Sequence, residues 1–314
     1  MAYVNTGTTN FSTLVQDLVL AKAETELRAR LVHANPDAYV PGRFVKGTNQ
    51  IRFARYADLG ANVTELVEGT PPTSQSLSIS SDAFTAKQYG QTLSITDLAQ
   101  LDSPHDLISI ASDRLARQAA ETMDVVVRDI LAAGTNVKYA GSATSRATVA
   151  KTHVITGELV KKQVAALKAA NVPTFADGTY RCIIHPFQEY DLISDTTANG
   201  WLEANKYVDN TPLITGEIGK FAGVRFLVSS NAKVFAGAGV SSTNVYSAHF
   251  FGPDSYTVGD SQTLQAYFTA PGGDHSDPLA QMAIAGFKMR FGAKLLDLAG
   301  AKYLRLETGA TLSA

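Results

Sequence analysis

The chain has 314 residues, of which 45 % are hydrophobic and 18 % are charged, and its formal net charge is −2. This balance excludes a strongly basic nucleic-acid binder that works by neutralising phosphates alone. The single cysteine, Cys182, excludes an intrachain disulfide framework and a zinc site made of several cysteines. No apolar run approaches the ~18 residues of a membrane span, and the first residues lack the layout of a signal peptide. We therefore expect a soluble chain without an export signal.

The first predicted element is a helix over residues 12–34. Ser12 is a suitable N-cap, and Asn35-Pro36 ends the helix because the residue before a proline avoids the α region. The leucines of this segment spread around the helix instead of forming one stripe. Such a helix needs cover on more than one side.

Residues 43–96 have the composition of extended strands. IRFARYADL contains β-compatible residues, and SLSIS and QTLSIT alternate apolar and polar positions. Between them, Glu68-Gly69-Thr70-Pro71-Pro72 predicts a break in regular structure. The segment has too little apolar mass to offset the entropy of ordering it alone. We expect it to lie on another surface, of this chain or of a neighbour.

The strongest helix prediction covers residues 104–133. Ser103 is the expected N-cap, Pro104 the first helical residue, and Gly134 the end. Asp113 with Arg117 and Asp124 with Arg128 have the spacing of ion pairs on an exposed helix face. Thirty residues would make a helix about 45 Å long, which favours an elongated subunit.

From residue 157 the pattern is α/β. Thr156 is the expected N-cap of a helix over GELVKKQVAALKAA, and YRCIIHP is typical of a buried strand. GVRFLVSSN and NVYSAHFFG predict two further strands. Apolar and basic residues alternate in AGFKMRFGAKLL, which predicts a long strand with one solvent-exposed, basic face. Its apolar positions are Phe287, Met289 and Phe291, and its basic positions are Lys288 and Arg290.

The charges are unevenly distributed along the chain. Residues 187–217 contain six acidic residues and one basic residue, and residues 250–280 contain four acids and no base. Residues 38–57 contain four bases and no acid, and residues 281–306 contain five bases and one acid. Complementary segments of this kind favour association between copies of the chain.

The sequence contains no P-loop, zincin, nucleophile-elbow or dinucleotide-binding motif. Cys182 and His185 would point to opposite faces of a strand, so a buried and inert thiol is expected. Asp274, His275 and Asp277 could hold a divalent ion, although a surface turn explains them as well. Trp201 could anchor an interface or fill a local core.

The order of these segments resembles a tailed-bacteriophage major capsid protein with the Hong Kong ninety-seven-type fold. The resemblance covers nearly the whole chain. It is carried by AKAETELRARLVHANPD, by the block from IRFARYADL through ELVEGTPP to AKQYGQTLSIT, and by ILAAGTNVKYAG, GEIGKFAGVRFLVSSN and DPLAQMAIAGFKMRFGAKLL. It implies an α+β fold and a structural function, with no enzyme activity and no cofactor.

The resemblance also implies a division into parts. They would be an N-terminal arm (1–42), an extended β-hairpin loop (43–96), a peripheral domain with a long spine helix (97–156), an α/β axial domain (157–280) and a return to the peripheral domain (281–314). The candidate inter-subunit contacts are Arg43, Lys46, Arg52, Arg55, Glu65, Glu68 and Trp201.

The implied partners are copies of the chain in pentamers and hexamers, with portal, scaffolding and possible decoration proteins. Packaged double-stranded DNA would be contacted weakly and non-specifically, and no membrane is involved. The protein would be made in the cytoplasm of a bacterial host and end in the virion.

Three alternatives stay open at this stage. An encapsulin-like bacterial shell protein would share the fold. An oligomeric α/β enzyme would use an unrecognised site such as Asp274, His275 and Asp277. A secreted adhesin or sheath protein would need the export signal that we do not expect here.

Overall fold

A computed structural model gives the fold. It describes residues 31–34, 40–43, 50–56, 59, 61–66, 68–69, 71–72, 74–195, 217–271, 279, 281–296 and 302–313. The helices are α1 (Asp97–Asp102), α2 (Leu107–Ala132), α3 (Gly157–Ala169) and α4 (Pro186–Ile193). The strands are β1 (Val40–Arg43), β2 (Gln50–Tyr56), β3 (Ile79–Thr85), β4 (Lys87–Thr96), β5 (Val137–Tyr139), β6 (Tyr180–Ile184), β7 (Glu217–Phe221), β8 (Val224–Val228), β9 (Val234–Phe235), β10 (Val245–Phe251), β11 (Tyr256–Thr269), β12 (Met282–Leu295) and β13 (Tyr303–Thr308).

A four-stranded sheet in the order β1-β11-β12-β4 packs against helix α2. Strand β12 alternates as the sequence predicts, since Phe287, Met289 and Phe291 are buried while Lys288 and Arg290 are partly exposed. The buried face meets the apolar side of α2, which includes Leu115, Ala119, Val127 and Leu131. The opposite face of the sheet therefore points away from the helix.

A second sheet has the order β5-β13-β10-β6-β8-β7, with β9 paired to β10. Helix α3 and strand β6 belong to one hydrophobic cluster, in which Val160 and Val164 pack with Cys182 and Ile184. Strands β6, β10 and β13 are buried at every residue, including the charged residues Arg181, Arg305 and Glu307. The buried strand predicted at YRCIIHP is confirmed.

Strands β2 and β3 form a separate antiparallel hairpin, with Gln50 opposite Thr85 and Tyr56 opposite Ile79. The chain then enters β4, which pairs with β12 of the four-stranded sheet. The QTLSIT pattern is thus part of a ten-residue strand. The α+β class expected from the sequence is confirmed.

Two helix boundaries differ from the sequence prediction. Helix α2 begins at Leu107, because Asp106 and not Ser103 accepts hydrogen bonds from the amides of Ile108 and Ser109. At 26 residues it is about 39 Å long. The predicted helix over 12–34 is wrong at its end, since residues 32–34 form a bend and turn, and residues 12–30 lie outside the described residues. Helix α3 with its Thr156 cap is confirmed.

Candidate assembly surfaces

The base of the hairpin packs on glycines of the four-stranded sheet. Gly42, Gly259 and Gly292 are neighbours across β1, β11 and β12, and we call them the glycine row. The paired hairpin residues Ile51 and Phe84 are buried over it. A Cβ added at Gly292 would lie 3.1 Å from the Phe84 ring, and one at Gly259 would also meet Ile51. The missing side chains therefore let the hairpin approach the sheet closely.

An ion pair holds the same end of the hairpin. Lys294 Nζ of β12 lies 2.8 Å from Asp82 Oδ1 of β3 and donates a second hydrogen bond to the Ala83 carbonyl at 3.2 Å. Asp82 is largely shielded from solvent, with 14 % of its side chain exposed. Apolar packing and a partly buried charge pair together fix where the hairpin leaves the sheet.

The other end of the hairpin and the loop that it carries are exposed. Tyr56 and Ile79 form the outermost cross-strand pair, and both are exposed. Every described residue from 59 to 79 is exposed, including Leu59, Val63, Leu66 and Leu77. Val63 is 90 % exposed and Leu66 is 74 % exposed. Large apolar side chains grouped in this way mark an interaction surface.

The candidate contact residues fall into two groups. Arg52 is exposed while its neighbour Ile51 is buried, as the alternation predicts, and Glu65 and Glu68 are exposed in the loop. Strands β1 and β2 include the backbones of Arg43 and Arg55, but their side chains lie outside the described part. Lys46 and Trp201 also lie outside it.

Sequence reasoning missed the contact that holds residues 32–34 to helix α2. Asp124 Oδ1 accepts hydrogen bonds from the amides of Val32 at 3.0 Å and His33 at 2.7 Å. Asp124 Oδ2 lies 2.8 Å from His33 Nδ1, and the Tyr256 hydroxyl donates to the His33 carbonyl at 2.7 Å. Both His33 and Asp124 are fully buried. We call this group the arm anchor.

The arm anchor overturns the surface ion pair predicted for Asp124 and Arg128. The carboxylate of Asp124 faces inward, where it accepts hydrogen bonds from the amide of the half-buried Val32 and from the buried amide of His33. Arg128 instead bonds to Asp129 and to the Asn231 carbonyl. Burial raises the pKa of Asp124, but hydrogen bonds and charge interaction with His33 outweigh it, so the pKa is lowered overall.

A second buried histidine borders the arm anchor. The rings of His33 and His249 meet edge to face with centroids 6.2 Å apart. His249 Nδ1 hydrogen-bonds to the Tyr303 hydroxyl, which donates to the Leu131 carbonyl at 2.6 Å. Burial, and then the nearby His33 and Arg305 charges, lower the pKa of His249 well below its usual value. Hydrogen bonds and ring contacts therefore connect residue 33, helix α2 and the second sheet.

Part of the acidic stretch 187–217 has a local structural function. Asp191 is buried and accepts a hydrogen bond from the Thr311 amide at 3.1 Å. Asp195 accepts one from the Gly157 amide at 3.0 Å. These two carboxylates stabilise the subunit itself, and the remaining acids from 203 to 209 lie outside the described residues.

Two of the groups considered for catalysis, Cys182 and His185, have local structural positions. Burial raises the pKa of the Cys182 thiol well above its usual value. His185 is the N-cap of α4, where its Nδ1 accepts from the Phe187 amide at 3.1 Å, and burial lowers its pKa. Asp274, His275 and Asp277 lie outside the described residues, and no cluster of three metal-ligating side chains occurs in the rest. None of the described helices is long and apolar enough to cross a membrane.

Comparisons with known proteins agree with this geometry. The model of a family described as phage capsid protein matches residues 81–303. The capsid of Ralstonia phage GP4 has a TM-score of 0.68 at 19 % identity and 90 % coverage of both chains. The capsid asymmetric unit of cyanophage Pam1 gives 0.69 at 16 % identity, covering 90 % of this chain and 93 % of that chain. The capsid of Helicobacter pylori bacteriophage KHP30 gives 0.63 at 12 % identity, covering 90 % of each chain. No curated protein matches.

The fold is thus a mixed one, with a long helix, an extended hairpin and two larger sheets. The chain belongs to the phage capsid protein family, since the family model spans more than half of its length. It is a major capsid protein that forms the shell of a phage head, with the Hong Kong ninety-seven-type fold that the sequence resemblance implies.

Proposed function

We propose that the subunit builds the shell through pentamers and hexamers in which the extended hairpin loop lies over a neighbouring copy. One observation carries this proposal: every described residue from 59 to 79 is exposed, with Val63 and Leu66 among the most exposed apolar side chains. Burying one such side chain completely is worth about 1.5–3 kcal/mol. In the proposed shell a neighbouring subunit supplies that burial.

The arm anchor supports a parallel function for the N-terminal arm. Residues 33 and 34 are fully buried against the body of their own subunit, which fixes the point from which residues 1–30 depart. We propose that residues 1–30 then contact another copy, because the leucines predicted around their helix need cover on several sides. The cut for a deletion therefore belongs before residue 31, so that His33 and Ala34 stay in place.

The test is assembly of the purified full-length chain, followed by sedimentation and electron microscopy. We expect closed shells from the full chain, and a folded subunit without closed shells after deletion of residues 1–30. Normal shells from the truncated chain would contradict the function proposed for the arm. A full chain that stays monomeric in every assembly condition would contradict the proposed shell contacts.

The finer partners belong to the same proposal. Portal and scaffolding proteins would guide assembly, and packaged DNA would be held by confinement with weak contacts, which agrees with a net charge of −2. The subunit would be made in the bacterial cytoplasm and act without catalysis. Nucleic acid inside particles from infected cells would distinguish this function from that of an encapsulin-like shell.

A further inference from the structure

Two buried histidines meet where residues 31–34, helix α2 and the second sheet come together. The side chains of His33 and His249 are both completely buried, and their rings contact each other edge to face. Among the described residues, Asp124 is the one carboxylate that is hydrogen-bonded to either ring. The site therefore combines two titratable rings with a single carboxylate.

The hydrogen bonds around His249 suit both of its protonation states. The Tyr303 hydroxyl donates to the Leu131 carbonyl at 2.6 Å, so it accepts a hydrogen bond from His249 Nδ1. Burial raises the pKa of Tyr303, and its hydroxyl therefore keeps its hydrogen. The Ser247 hydroxyl has one hydrogen and lies 3.2 Å from His249 Nε2 and 3.0 Å from the Lys233 carbonyl oxygen. It can donate to a neutral His249, or accept from a protonated His249 while it donates to Lys233.

The charges around His249 oppose the added proton. Arg305 lies directly opposite His249 in the pairing of β10 with β13. Its Nε lies 3.0 Å from Glu307 Oε1, and Arg146 binds the same carboxylate with two hydrogen bonds. Burial, and then the nearby positive charges with His33 first, lower the pKa of His249. The titratable and charged groups on the elements packed around the ring are His33, Asp124 and Arg128 on α2, Cys182 on β6, and Tyr303, Arg305 and Glu307 on β13. Both carboxylates of this set already have partners, so a proton on His249 adds positive charge that nothing nearby neutralises.

Residues 31–34 are the part of this site that can move. The amides of residues 32 and 33 and the His33 ring bind Asp124, and the Tyr256 hydroxyl binds the His33 carbonyl. His33 Nε2 is buried and has no hydrogen-bond partner among the described residues. His249, in contrast, lies within β10, which is paired with β13 on one side and with β6 on the other. Repulsion between the two rings is therefore relieved by detachment of the short segment and not by opening of the sheet.

We propose that His33 and His249 form a pH-sensitive switch, in which protonation of His249 repels His33 and detaches residues 31–34 from α2 while both sheets stay folded. The inference goes beyond the proposed shell function, because the switch operates within one subunit. Residues 31–34 also fix the point from which residues 1–30 depart. Acid therefore releases the attachment of the arm and leaves the body of the subunit intact.

The direction of the pKa change at His249 sets the pH range of the switch. Detachment of residues 31–34 uncovers the ring, so its pKa moves back toward the ordinary value of about 6.5. The anchored state is fully stabilised above about pH 6.5 and loses stability as the pH falls through the lowered pKa of the anchored state. Protonation of Asp124 weakens the anchor only below about pH 4. Measurements between about pH 6.5 and 4.5 therefore separate His249 from Asp124.

Hydrogen exchange in the purified full-length subunit tests the switch. Exchange of the peptide that contains residues 31–34 is followed by mass spectrometry from about pH 7.5 to about 4.5. It is expressed as a protection factor, because intrinsic exchange itself changes with pH. Uptake of one proton lowers the protection factor by up to about tenfold for each pH unit, and we expect such a fall below about pH 6.5. Peptides of α3, which packs in the other hydrophobic cluster, should keep their protection.

Two variants provide a matched comparison. His249→Gln retains an amide that can form hydrogen bonds at this position, but it cannot become charged. It should keep the protection of residues 31–34 constant between about pH 6.5 and 4.5. His105→Gln makes the same change at an exposed histidine just before α2, and it should reproduce the wild-type profile.

A wild-type protection factor that stays constant over this range overturns the switch, and so does an equal fall in wild type and His249→Gln. Should His249→Gln and His249→Asn both lose protection already at neutral pH, the wild-type profile decides. A fall confined to residues 31–34 then supports the switch, and an equal fall in α3 overturns it. None of these measurements needs assembled shells, so failure of the proposed shell function would be seen separately, as a chain that never assembles.

Discussion

The second sheet and the hairpin loop differ in where their apolar residues find cover. Strands β6, β10 and β13 are buried at every residue within one subunit. The loop is exposed at every described residue from 59 to 79, although it carries several large apolar side chains. The sheet is therefore covered by its own chain, whereas the loop would be covered only by the neighbouring copies of the proposed shell. Stability and assembly should accordingly respond to different substitutions.

Gly259→Val should have the largest effect, because it acts where the base of the hairpin packs on the four-stranded sheet. The new side chain would meet Ile51, and its Cβ would lie 2.8 Å from the Gly42 carbonyl oxygen. Overpacking of this kind typically costs about 1–3 kcal/mol, and here the hairpin is the element that can move away. We expect a folded subunit that forms no closed shells, measured by circular dichroism and electron microscopy.

The control for this substitution is Ala83→Val, which adds methyl groups at an exposed position of the same hairpin. It should leave both folding and shells intact. Normal shells from Gly259→Val would show that the position of the hairpin base on the glycine row is unimportant for assembly.

Asp124→Ala should come next, because it removes the acceptor of the arm anchor. The amides of Val32 and His33 would lose their hydrogen bonds, and a buried donor left unsatisfied costs about 1–3 kcal/mol. We expect lower stability in urea and faster hydrogen exchange at residues 32–34. Asp124→Asn should recover part of the loss, since an amide oxygen can still accept. Glu121→Gln, at an exposed position of the same helix, is the neutral control.

The arm anchor also shows which contacts cannot be predicted from the sequence, namely those between segments far apart in the chain. Asp124 and Arg128 have the spacing of a surface pair, and the spacing says nothing about which face of α2 a distant segment covers. The partner, His33, lies 91 residues earlier in the chain. The periodicity of α2, α3 and β12 was predictable because local pattern reflects burial. The glycine row was not, because it depends on the register of three strands.

The pH dependence of stability should carry a contribution from Asp124. Since its pKa in the folded state is lowered, the stabilisation is fully present above the unfolded value of about 3.9 and is lost as pH falls through the folded pKa. The difference in unfolding free energy between wild type and Asp124→Asn should therefore shrink as the pH falls below about 4. A difference that stays constant down to pH 2 would mean that Asp124 is not bound as a carboxylate.

Reversing the charge of two arginines on the hairpin tests whether its exposed residues affect assembly without affecting the stability of the subunit. Arg52 is exposed, and exposed ion pairs are worth roughly 0.2–1 kcal/mol each. Arg52→Glu with Arg55→Glu should leave the unfolding curve of the subunit unchanged and slow shell assembly, as followed by light scattering. Salt should reduce the difference, because the Debye length is about 8 Å at physiological ionic strength. Identical kinetics at low salt would show that these charges are only solvated.

Cys182→Ala should have the smallest effect. Unlike the charge reversal, it should change the stability of the subunit and leave shell assembly unchanged. The thiol is completely buried in the second sheet, where it packs with Phe226 and Phe250. Its loss leaves a small void, and we expect a cost of about 1 kcal/mol in the stability of the subunit. Shell assembly should be unchanged, because the residue touches no exposed surface. Cys182→Val fills the void with a side chain of similar size and should restore stability. Slower assembly in both variants, at unchanged stability, would mean that the interior of this sheet communicates with the surfaces between subunits, and the division between the two regions would then be wrong.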